Sequence, residues 1–456
     1  MTLKSWAIIS APIFSISCYF LLTTLGLQHQ ATIVASITFL TLILWMTNAL
    51  PIPITALIPL VLFPTFDVMD HQQAASFLGN DIVLLLMAAF MLSKSLEKSG
   101  VHEKMAFFIL KLINPNNFRG LVLGFMSATA FLSLWVSNTA ATLVMLPVTL
   151  AILNTLNNKK CDSVLLIAIA YAASIGGIGT ILGSPTNIIF DGMFRQQTGN
   201  EFDFFDWLKM GLPIVLIALP IGAYWLTKTI NDEIRLNMIK PMNWSKAEKR
   251  TLLIFSITII AWITTHTPFG GWSHWLKLPN IGESSVLLVA VIAMFVISDG
   301  KNGKLMNWKT AKDIPWDVLL LIASGLCIAY AFHTSGLSHS LALWLHSLTH
   351  LNPLVMILII CLAVTLFTEV ASNTATATLL MPVMASAAIA TESNPELLMA
   401  PAAMAASTAF MLPVGTPPNA IVFGSGRVKM KDMIKNGVMF SLLLSVLITL
   451  FCFILI

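Results

Sequence analysis

Two short polar triplets interrupt long apolar stretches of this sequence. Both read Ser-Asn-Thr, at Ser137–Thr139 and, 235 residues later, at Ser372–Thr374. Small polar side chains are unfavourable in an apolar surrounding unless something binds them. Their hydroxyl and amide oxygens suit a small hard cation, and their donors suit an anion. The duplication therefore predicts one binding site that is built from two halves.

A hydroxyl precedes each triplet at the same distance. Ser133 lies four residues before Ser137, and Thr368 lies four residues before Ser372. Residues four apart share one face of a helix. We therefore expect the two hydroxyls of each half on one helix face, and we expect that helix to end at the following Asn-Thr, where backbone carbonyls are freed.

A second pair of motifs follows the triplets in the same order. The segments 183–187 (GSPTN) and 415–419 (GTPPN) interrupt apolar stretches that otherwise suit helices. Pro lacks a backbone donor and clashes with the preceding turn, and Gly adds conformational freedom. A break of this kind exposes carbonyls that suit a cation and amides that suit an anion. No Lys or Arg occurs in either triplet or either break.

The acidic residues near these motifs do not occur in a pattern that indicates a single function. Glu369 is next to the second triplet, whereas its counterpart in the first half is Leu134. A hydrogen-bonded structural acid and a proton relay both fit that position. Asp81 and Asp317 begin apolar segments, and we expect each to cap a helix.

The composition identifies the environment of these motifs. The chain is 57% hydrophobic and 10% charged, with a mean hydropathy of +0.85 and a net charge of +4. A soluble domain carries roughly 25% charged residues. The apolar runs are as long as membrane-spanning helices, and short alternating segments of a membrane barrel are missing. We expect an all-α polytopic membrane protein whose first apolar run is a retained helix.

Apolar segments predict eleven transmembrane helices plus two opposed re-entrant hairpins. The hairpins are 121–154 and 354–390, because a polar triplet near the middle favours a bend over one long helix. The predicted spans are 6–27, 31–47, 51–64, 81–100, 163–192, 210–228, 251–268, 284–298, 317–336, 397–424 and 436–456.

The distribution of charge supports this arrangement. With a cytoplasmic N-terminus and the C-terminus outside, 22 of the 25 Lys and Arg residues lie on the inner side, and Arg195, Lys209 and Lys277 lie outside. Counting either hairpin as a single crossing would destroy this asymmetry. The five spans of each half then have opposite orientations, as in the inverted repeats of transporters.

The domain organisation follows from these repeats. An extra N-terminal transmembrane helix (1–30) precedes a first repeat (31–228), a cytoplasmic linker (229–250) and a second repeat (251–456). The first repeat contains scaffold helices (31–112), a hairpin (121–154), a broken helix (163–192) and a helix (210–228). The second contains scaffold helices (251–350), a hairpin (354–390), a broken helix (397–424) and a helix (436–456).

The motifs resemble those of the divalent anion:sodium symporter family, and the closest likeness is to its bacterial dicarboxylate members. The segment 406–422 (ASTAFMLPVGTPPNAIV) fits the family pattern, as do both triplets. The resemblance implies a homodimer in the bacterial inner membrane, surrounded by lipid, that works by an elevator-type mechanism. It implies Na+-coupled symport of C4-dicarboxylates such as succinate, malate or fumarate, with Na+ as the coupling ion and no organic cofactor.

The resemblance also implies roles for individual residues. The substrate carboxylates would contact Ser137, Asn138, Thr139, Ser184, Ser372, Asn373, Thr374, Thr416 and Pro417. One Na+ would lie near Ser133, Ser137, Asn138 and Gly183, and a second near Thr368, Ala371, Asn373 and Gly415. Two positions depart from the family pattern: Thr186 replaces a frequent Pro, and Gly415 replaces a frequent Ala. We expect Thr186 to affect substrate fit and Gly415 to have a mild effect.

Several alternatives remain open at this stage. A dicarboxylate or citrate/succinate exchanger would have the same fold, and so would a sulfate carrier. An intramembrane enzyme would need a His or paired acids in a buried span, whereas the nine His residues fall in predicted loops or at the interfacial ends of spans. The sequence also has no HExxH, GxSxG or Walker A motif.

Overall fold

The computed structural model contains helices and the segments that connect them over the residues that it describes, with an isolated bridge between Ser298 and Lys304. It describes residues 3–47, 49–113, 117–156, 159–199, 202, 204–228, 230, 243–265, 271–278, 281–340, 352–390 and 393–456. The helices are Leu3–Thr24, His29–Thr47, Ile52–Thr65, His71–Ser76, Asp81–Ser99, Val101–Ile113, Phe118–Ser133, Asn138–Leu156, Lys159–Ile178, Pro185–Thr198, Phe204–Thr227, Lys246–Ile263, Gly271–Trp275, Glu283–Val296, Trp308–Ala311, Trp316–Thr334, Pro353–Thr368, Asn373–Ala390, Pro395–Ala405, Pro417–Gly424 and Met430–Leu455.

The helices confirm the predicted fold class. A helix, or two consecutive helices for each broken segment, occupies every predicted span. Among the described residues, seven helical segments are long and apolar enough to cross a membrane. Large apolar side chains such as Ile260, Val289 and Ile292 are mostly exposed, as expected for surfaces that face lipid. The number of eleven spans stays a prediction, as does the linker, of which 229 and 231–242 lie outside the described residues.

Each triplet lies at the junction of two helices, which we call a helix pair. The first pair consists of Phe118–Ser133 and Asn138–Leu156, and the second of Pro353–Thr368 and Asn373–Ala390. Four residues connect the helices in each pair, and the second helix begins at the Asn of the triplet. A break at each triplet is therefore present, but the helix ends at Ser133 or Thr368 and a new helix begins at the Asn, so the two hydroxyls of each half do not lie on one helix as expected. Entry and exit of each pair on the same membrane side stay predictions.

Both predicted helix breaks are present, but their lengths differ. The first broken helix consists of Lys159–Ile178 and Pro185–Thr198, with a 3-10 turn at Ile181–Gly183 between them. The second consists of Pro395–Ala405 and Pro417–Gly424. Its break includes all of 406–416, so the helix ends well before the Gly-Thr-Pro-Pro-Asn motif. Pro185 and Pro417 each begin a helix. The first N–H group of a helix makes no intrahelical hydrogen bond, so no bond is lost when Pro lacks it.

The broken helices and helix pairs pack across the two repeats. The helix Pro185–Thr198 of the first repeat packs against Asn373–Ala390 of the second. In the same way, Pro417–Gly424 of the second repeat packs against Asn138–Leu156 of the first. This exchange brings the two halves of the candidate site together.

The predicted caps at Asp81 and Asp317 are wrong in detail. Asn80 caps the helix, because its side chain accepts a hydrogen bond from the Ile82 amide at 3.0 Å. Asp81 occupies the first turn instead and accepts a hydrogen bond from Ser284 of another helix. Pro315 occupies the cap position before Asp317 and makes no side-chain cap.

Candidate functional site

Oxygen atoms converge on Asn138 at the first helix pair. The Ser133 hydroxyl lies 2.6 Å from the Asn138 amide and 2.7 Å from the Ala173 carbonyl. Rotating the amide by 180° lets its nitrogen donate to the Gly183 carbonyl at 3.2 Å, to the Ala173 carbonyl at 3.1 Å and to Ser133 at 2.6 Å. We assign that orientation because it satisfies both ends of the amide. One hydroxyl and two carbonyls thus surround a single side chain.

Glycine is required where the first broken helix approaches this cluster. A Cβ on Gly177 would lie 2.5 Å from the Asn138 side-chain amide, at the atom that the assigned orientation makes the nitrogen. A Cβ on Gly183 would lie 2.6 Å from the Gly177 carbonyl oxygen and 2.9 Å from that of Ser133. All three distances are shorter than real Cβ contacts allow. The close approach places additional carbonyl oxygens beside the cluster, and neutral oxygens are the donor type that a hard cation prefers.

Ser137 has a different environment from the other predicted cation ligands of this half. Its hydroxyl accepts a hydrogen bond from the Ala140 amide at 3.3 Å and so caps the following helix. It lines a cavity of about 30 Å³ together with Gly183 and Pro185, and the opposite wall includes Ser93 and Phe255 of scaffold helices. The structure therefore brings Ser133, Asn138 and Gly183 together and leaves Ser137 facing the scaffold.

The second helix pair repeats the arrangement of the first. The Thr368 hydroxyl lies 2.8 Å from the Asn373 side-chain oxygen and 2.8 Å from the Ala406 carbonyl. In both halves, a buried hydroxyl thus contacts the Asn five residues later and a carbonyl of the broken helix. Ala371 lies in the connection between Thr368 and Asn373, and its amide donates to the Phe367 carbonyl at 3.1 Å.

Gly415 is less constrained than its counterpart Gly183. Its amide donates to the Leu412 carbonyl at 3.2 Å. A Cβ at this position would lie 3.1 Å from the Ala409 Cβ and 3.3 Å from a Glu369 carboxylate oxygen. A small shift of these neighbours would accommodate alanine, in agreement with the mild effect expected from the sequence.

The carboxylate of Glu369 stabilises the backbone of the long second break, 406–416. It accepts hydrogen bonds from three consecutive backbone amides, at 2.7 Å from Phe410, 2.8 Å from Met411 and 3.0 Å from Leu412. The side chain is buried. These contacts favour the structural acid over the proton relay. In the first repeat, the Thr180 hydroxyl donates to the Leu134 carbonyl at 2.6 Å and ties the shorter break to its helix pair.

Two asparagines that the sequence analysis did not select cross the breaks. Asn187 donates to the carbonyls of Gly177 and Thr180, both at 2.8 Å. Asn419 donates to the carbonyls of Ala409 at 3.1 Å and Leu412 at 3.0 Å. Each amide therefore satisfies carbonyls that the missing helical turn leaves free. The signal was present in the sequence, because both motifs end in Asn.

Three hydroxyls meet between the repeats. Ser184 lies 3.0 Å from Thr186 and 3.0 Å from Ser407, and Thr186 lies 2.8 Å from Ser407. All three side chains are buried. Thr186 had been singled out only as a departure from the family pattern, and Ser407 had not been singled out. Thr416, at the position of Ser184 in the other repeat, instead accepts a hydrogen bond from the Asn419 amide at 3.3 Å.

The remaining predicted substrate residues are accessible. Thr139, Asn373 and Thr374 are partly exposed, and Ser372 and Pro417 are exposed. Thr139, Ser372 and Thr374 are thus accessible at the N-termini of the helices Asn138–Leu156 and Asn373–Ala390, beside the buried hydroxyls of Ser133 and Thr368. Helix N-termini carry partial positive charge and bind anions.

Known proteins match this chain in sequence and in fold. The sequence profile of a family described as citrate transporters matches residues 42–400. A sodium-dependent dicarboxylate transporter, SdcS, of Staphylococcus saprophyticus is 35% identical over 93% of this chain and 86% of its own length. SdcS of Staphylococcus aureus strain RF122 is also 35% identical, over 94% of this chain and 88% of its own length.

A solved structure has a related fold. The crystal structure of the YdaH transporter of Alcanivorax borkumensis superimposes with a TM-score of 0.57. The match covers 83% of this chain and 85% of that one, with 15% sequence identity. The motif resemblance, the family profile and the relatives agree, and they indicate a transporter and not an enzyme. The chain belongs to the citrate transporter family, within the divalent anion:sodium symporters.

Proposed function

We propose that this protein is a Na+-coupled symporter of C4-dicarboxylates such as succinate, malate or fumarate. The observation that carries the proposal is the repeated polar cluster, in which a buried hydroxyl (Ser133 or Thr368) contacts both an Asn side-chain amide and a carbonyl of the broken helix. Hydroxyl, amide and carbonyl oxygens are ligands for a hard monovalent cation. Relatives at 35% identity are named sodium-dependent dicarboxylate transporters, which supports both the cation and the substrate class.

Each cluster would hold one Na+. The first would use Ser133, Gly183 and Asn138, whose amide would turn its oxygen toward the ion. The second would use Thr368, Ala371, Asn373 and Gly415. The carbonyls of Ala173 and Ala406 already contact these side chains, at 2.7 Å and 2.8 Å from the two hydroxyls. Bound Na+ supplies positive charge where the protein has no Lys or Arg.

The dicarboxylate would lie between the two triplets. One carboxylate would contact Ser137–Thr139 and the other Ser372–Thr374. The side-chain amides of Asn138 and Asn373 would each lie between a Na+ and a substrate carboxylate. Bound Na+ would therefore favour substrate binding, and bound substrate would favour Na+ binding. Such coupling is reciprocal, because substrate must raise Na+ affinity by the same factor as Na+ raises substrate affinity. A Na+ gradient can then drive substrate accumulation.

The helix pairs and broken helices would move together as an elevator against the scaffold helices. Several polar contacts lie within the proposed moving unit, including Arg427 with Asn154 at 2.8 Å. Fewer described polar contacts join it to the scaffold. The main ones are Arg195 with Glu283 at 2.9 Å and Gln196 with the Leu326 carbonyl at 3.2 Å. The scaffold would form a homodimer in the lipid of the bacterial inner membrane, with a cytoplasmic N-terminus.

A second candidate function is citrate/succinate exchange, for which the description of the matching family supports citrate as a substrate. A dicarboxylate or citrate/succinate exchanger, or a sulfate carrier, would use the same half-sites. Uptake of labelled succinate by purified protein in liposomes separates these functions. Symport predicts uptake with an inward Na+ gradient and empty vesicles, inhibited by malate and fumarate. Uptake that requires internal dicarboxylate would identify an exchanger, and strong competition by sulfate would identify a sulfate carrier.

A further inference from the structure

A buried triangle of hydroxyls joins the two repeats beside the candidate cation sites. Its members are Ser184 and Thr186 from the first break and Ser407 from the second. Thr186 also donates to the Asn187 side-chain oxygen at 3.1 Å. Because a hydroxyl has one hydrogen, Thr186 must then accept from Ser184 or Ser407. The triangle is therefore a directed hydrogen-bond chain that ends on the asparagine crossing the first break.

The triangle is one peptide unit away from each cation half-site. Ser184 follows Gly183, whose carbonyl lies 3.2 Å from the Asn138 amide. Ser407 follows Ala406, whose carbonyl lies 2.8 Å from the Thr368 hydroxyl. A displacement of either carbonyl on cation binding must move a member of the triangle. Hydrogen-bond chains in a low-dielectric interior transmit such changes because each bond polarises the next.

Among the described residues this bridge occurs once, although the surrounding motifs occur twice. The repeat equivalents of Ser184, Thr186 and Ser407 are Thr416, Pro418 and Ser174. Pro418 has no hydroxyl, and the buried Ser174 hydroxyl has no hydrogen-bond partner among the described residues. The sequence difference at Thr186 thus creates a connection that the other pair of segments lacks.

We propose that Thr186 and Ser407 are positioning residues that couple the two Na+ half-sites, so that occupation of one raises the affinity of the other. This inference rests on the proposed Na+-coupled function. The hydroxyls do not bind the cation themselves. They link the backbone segments that carry its carbonyl ligands, and therefore affect cooperativity more than the maximal rate.

The test is the Na+ dependence of succinate uptake in liposomes. The wild-type protein should show a Hill coefficient above one. Thr186→Val, which replaces the hydroxyl with a methyl group of similar size, should lower that coefficient toward one. It should also raise the Na+ concentration for half-maximal uptake about fivefold, as for the loss of one hydrogen bond of ordinary net strength. The rate at saturating Na+ should change little.

Four further variants make the result specific. Ser407→Ala should reproduce the effect, and the double variant should be no worse than either single variant, because one interaction is lost only once. Thr186→Ser, which keeps the hydroxyl, should show the same cooperativity as the wild type. Ser174→Ala is the matched control and should behave as wild type. If Thr186→Val does not fold, Thr186→Pro replaces it, since Pro already occupies the equivalent position 418.

The outcomes separate this inference from the proposed function. Wild-type cooperativity in Thr186→Val and Ser407→Ala would overturn the proposal that the hydroxyls couple the two half-sites. It would leave the proposed Na+-coupled transport unaffected. An equal effect of Ser174→Ala would also overturn the proposed coupling by the hydroxyls. Uptake by the wild-type protein that does not depend on Na+ would contradict the proposed function itself, and the bridge with it.

Discussion

Asn187 and Asn419 cross the two helix breaks with the same pair of hydrogen bonds. The first binds the carbonyls of Gly177 and Thr180, and the second binds those of Ala409 and Leu412. The partners lie ten and seven residues before the Asn in both cases. The breaks are therefore equivalent structures held open by specific contacts, although one spans far more residues than the other.

The difference between the breaks explains the role of Glu369 and gives a first prediction. Glu369→Gln replaces an acceptor of three backbone N–H groups with an amide whose NH2 would face the Leu412 N–H. We expect the variant to be destabilised by about 2 kcal/mol through the lost hydrogen bond and unpaired donors. Its thermal midpoint should fall, while the pH profile of the remaining uptake keeps the wild-type shape.

A proton relay predicts a different result for the same variant. It would leave the thermal midpoint near the wild-type value and remove a step from the pH profile of uptake. Thermal unfolding of the purified protein and uptake at several pH values, measured on one preparation, decide between the two roles.

The two glycines proposed beside the cations should differ in their tolerance of alanine. Gly183→Ala places a Cβ 2.6 Å from the Gly177 carbonyl oxygen, so the backbone around Asn138 must shift. Gly415→Ala places its Cβ 3.1 Å from a side-chain methyl group. We expect Gly183→Ala to abolish Na+-dependent uptake and Gly415→Ala to retain most of it. Similar loss in both variants would contradict the geometry of the two half-sites.

The proposed elevator movement can be tested where the first broken helix meets the scaffold. The Gln196 amide donates to the Leu326 carbonyl at 3.2 Å, so the two positions are close in this conformation. In a variant without the five native cysteines, Gln196→Cys with Leu326→Cys should be cross-linked by a short bifunctional reagent. Because the two helices must separate during transport, cross-linking should stop uptake, and cleavage of the cross-link should restore it.

The single-cysteine variants are the controls for this experiment and should lose no activity with the reagent. Continued uptake by fully cross-linked protein would show that Pro185–Thr198 does not move relative to Trp316–Thr334. That outcome would exclude the elevator and leave the binding site unaffected.

The sequence predicts local contacts of this site better than distant ones. The sequence selected Ser133 and Thr368 by their spacing from the triplets, and each hydroxyl contacts the Asn of its triplet, although the helix ends at that hydroxyl residue and the four residues between are not helical. Their second partners, Ala173 and Ala406, lie 40 and 38 residues away, where no spacing rule applies. The fold class was predictable because long apolar runs leave few alternatives in a membrane.

The second break illustrates a further limit. Residues 406–410 are small or apolar and suit a helix as well as an extended segment. The helix nevertheless ends at Ala405, because the Glu369 carboxylate binds the amides of Phe410 and Met411 in place of helical carbonyls. Likewise, Thr186 and Ser407 are 221 residues apart, and only the fold brings their hydroxyls together.

The central claim is that both half-sites are needed for one transport reaction. The most direct test is uptake of labelled succinate, driven by an inward Na+ gradient, by purified Asn138→Ala and Asn373→Ala proteins in liposomes. Size-exclusion chromatography in detergent should show the same profile as for the wild type, since both asparagines are partly exposed at the start of their helices. We predict that each variant alone reduces uptake to the level of empty liposomes. Normal uptake by either variant would contradict the paired site.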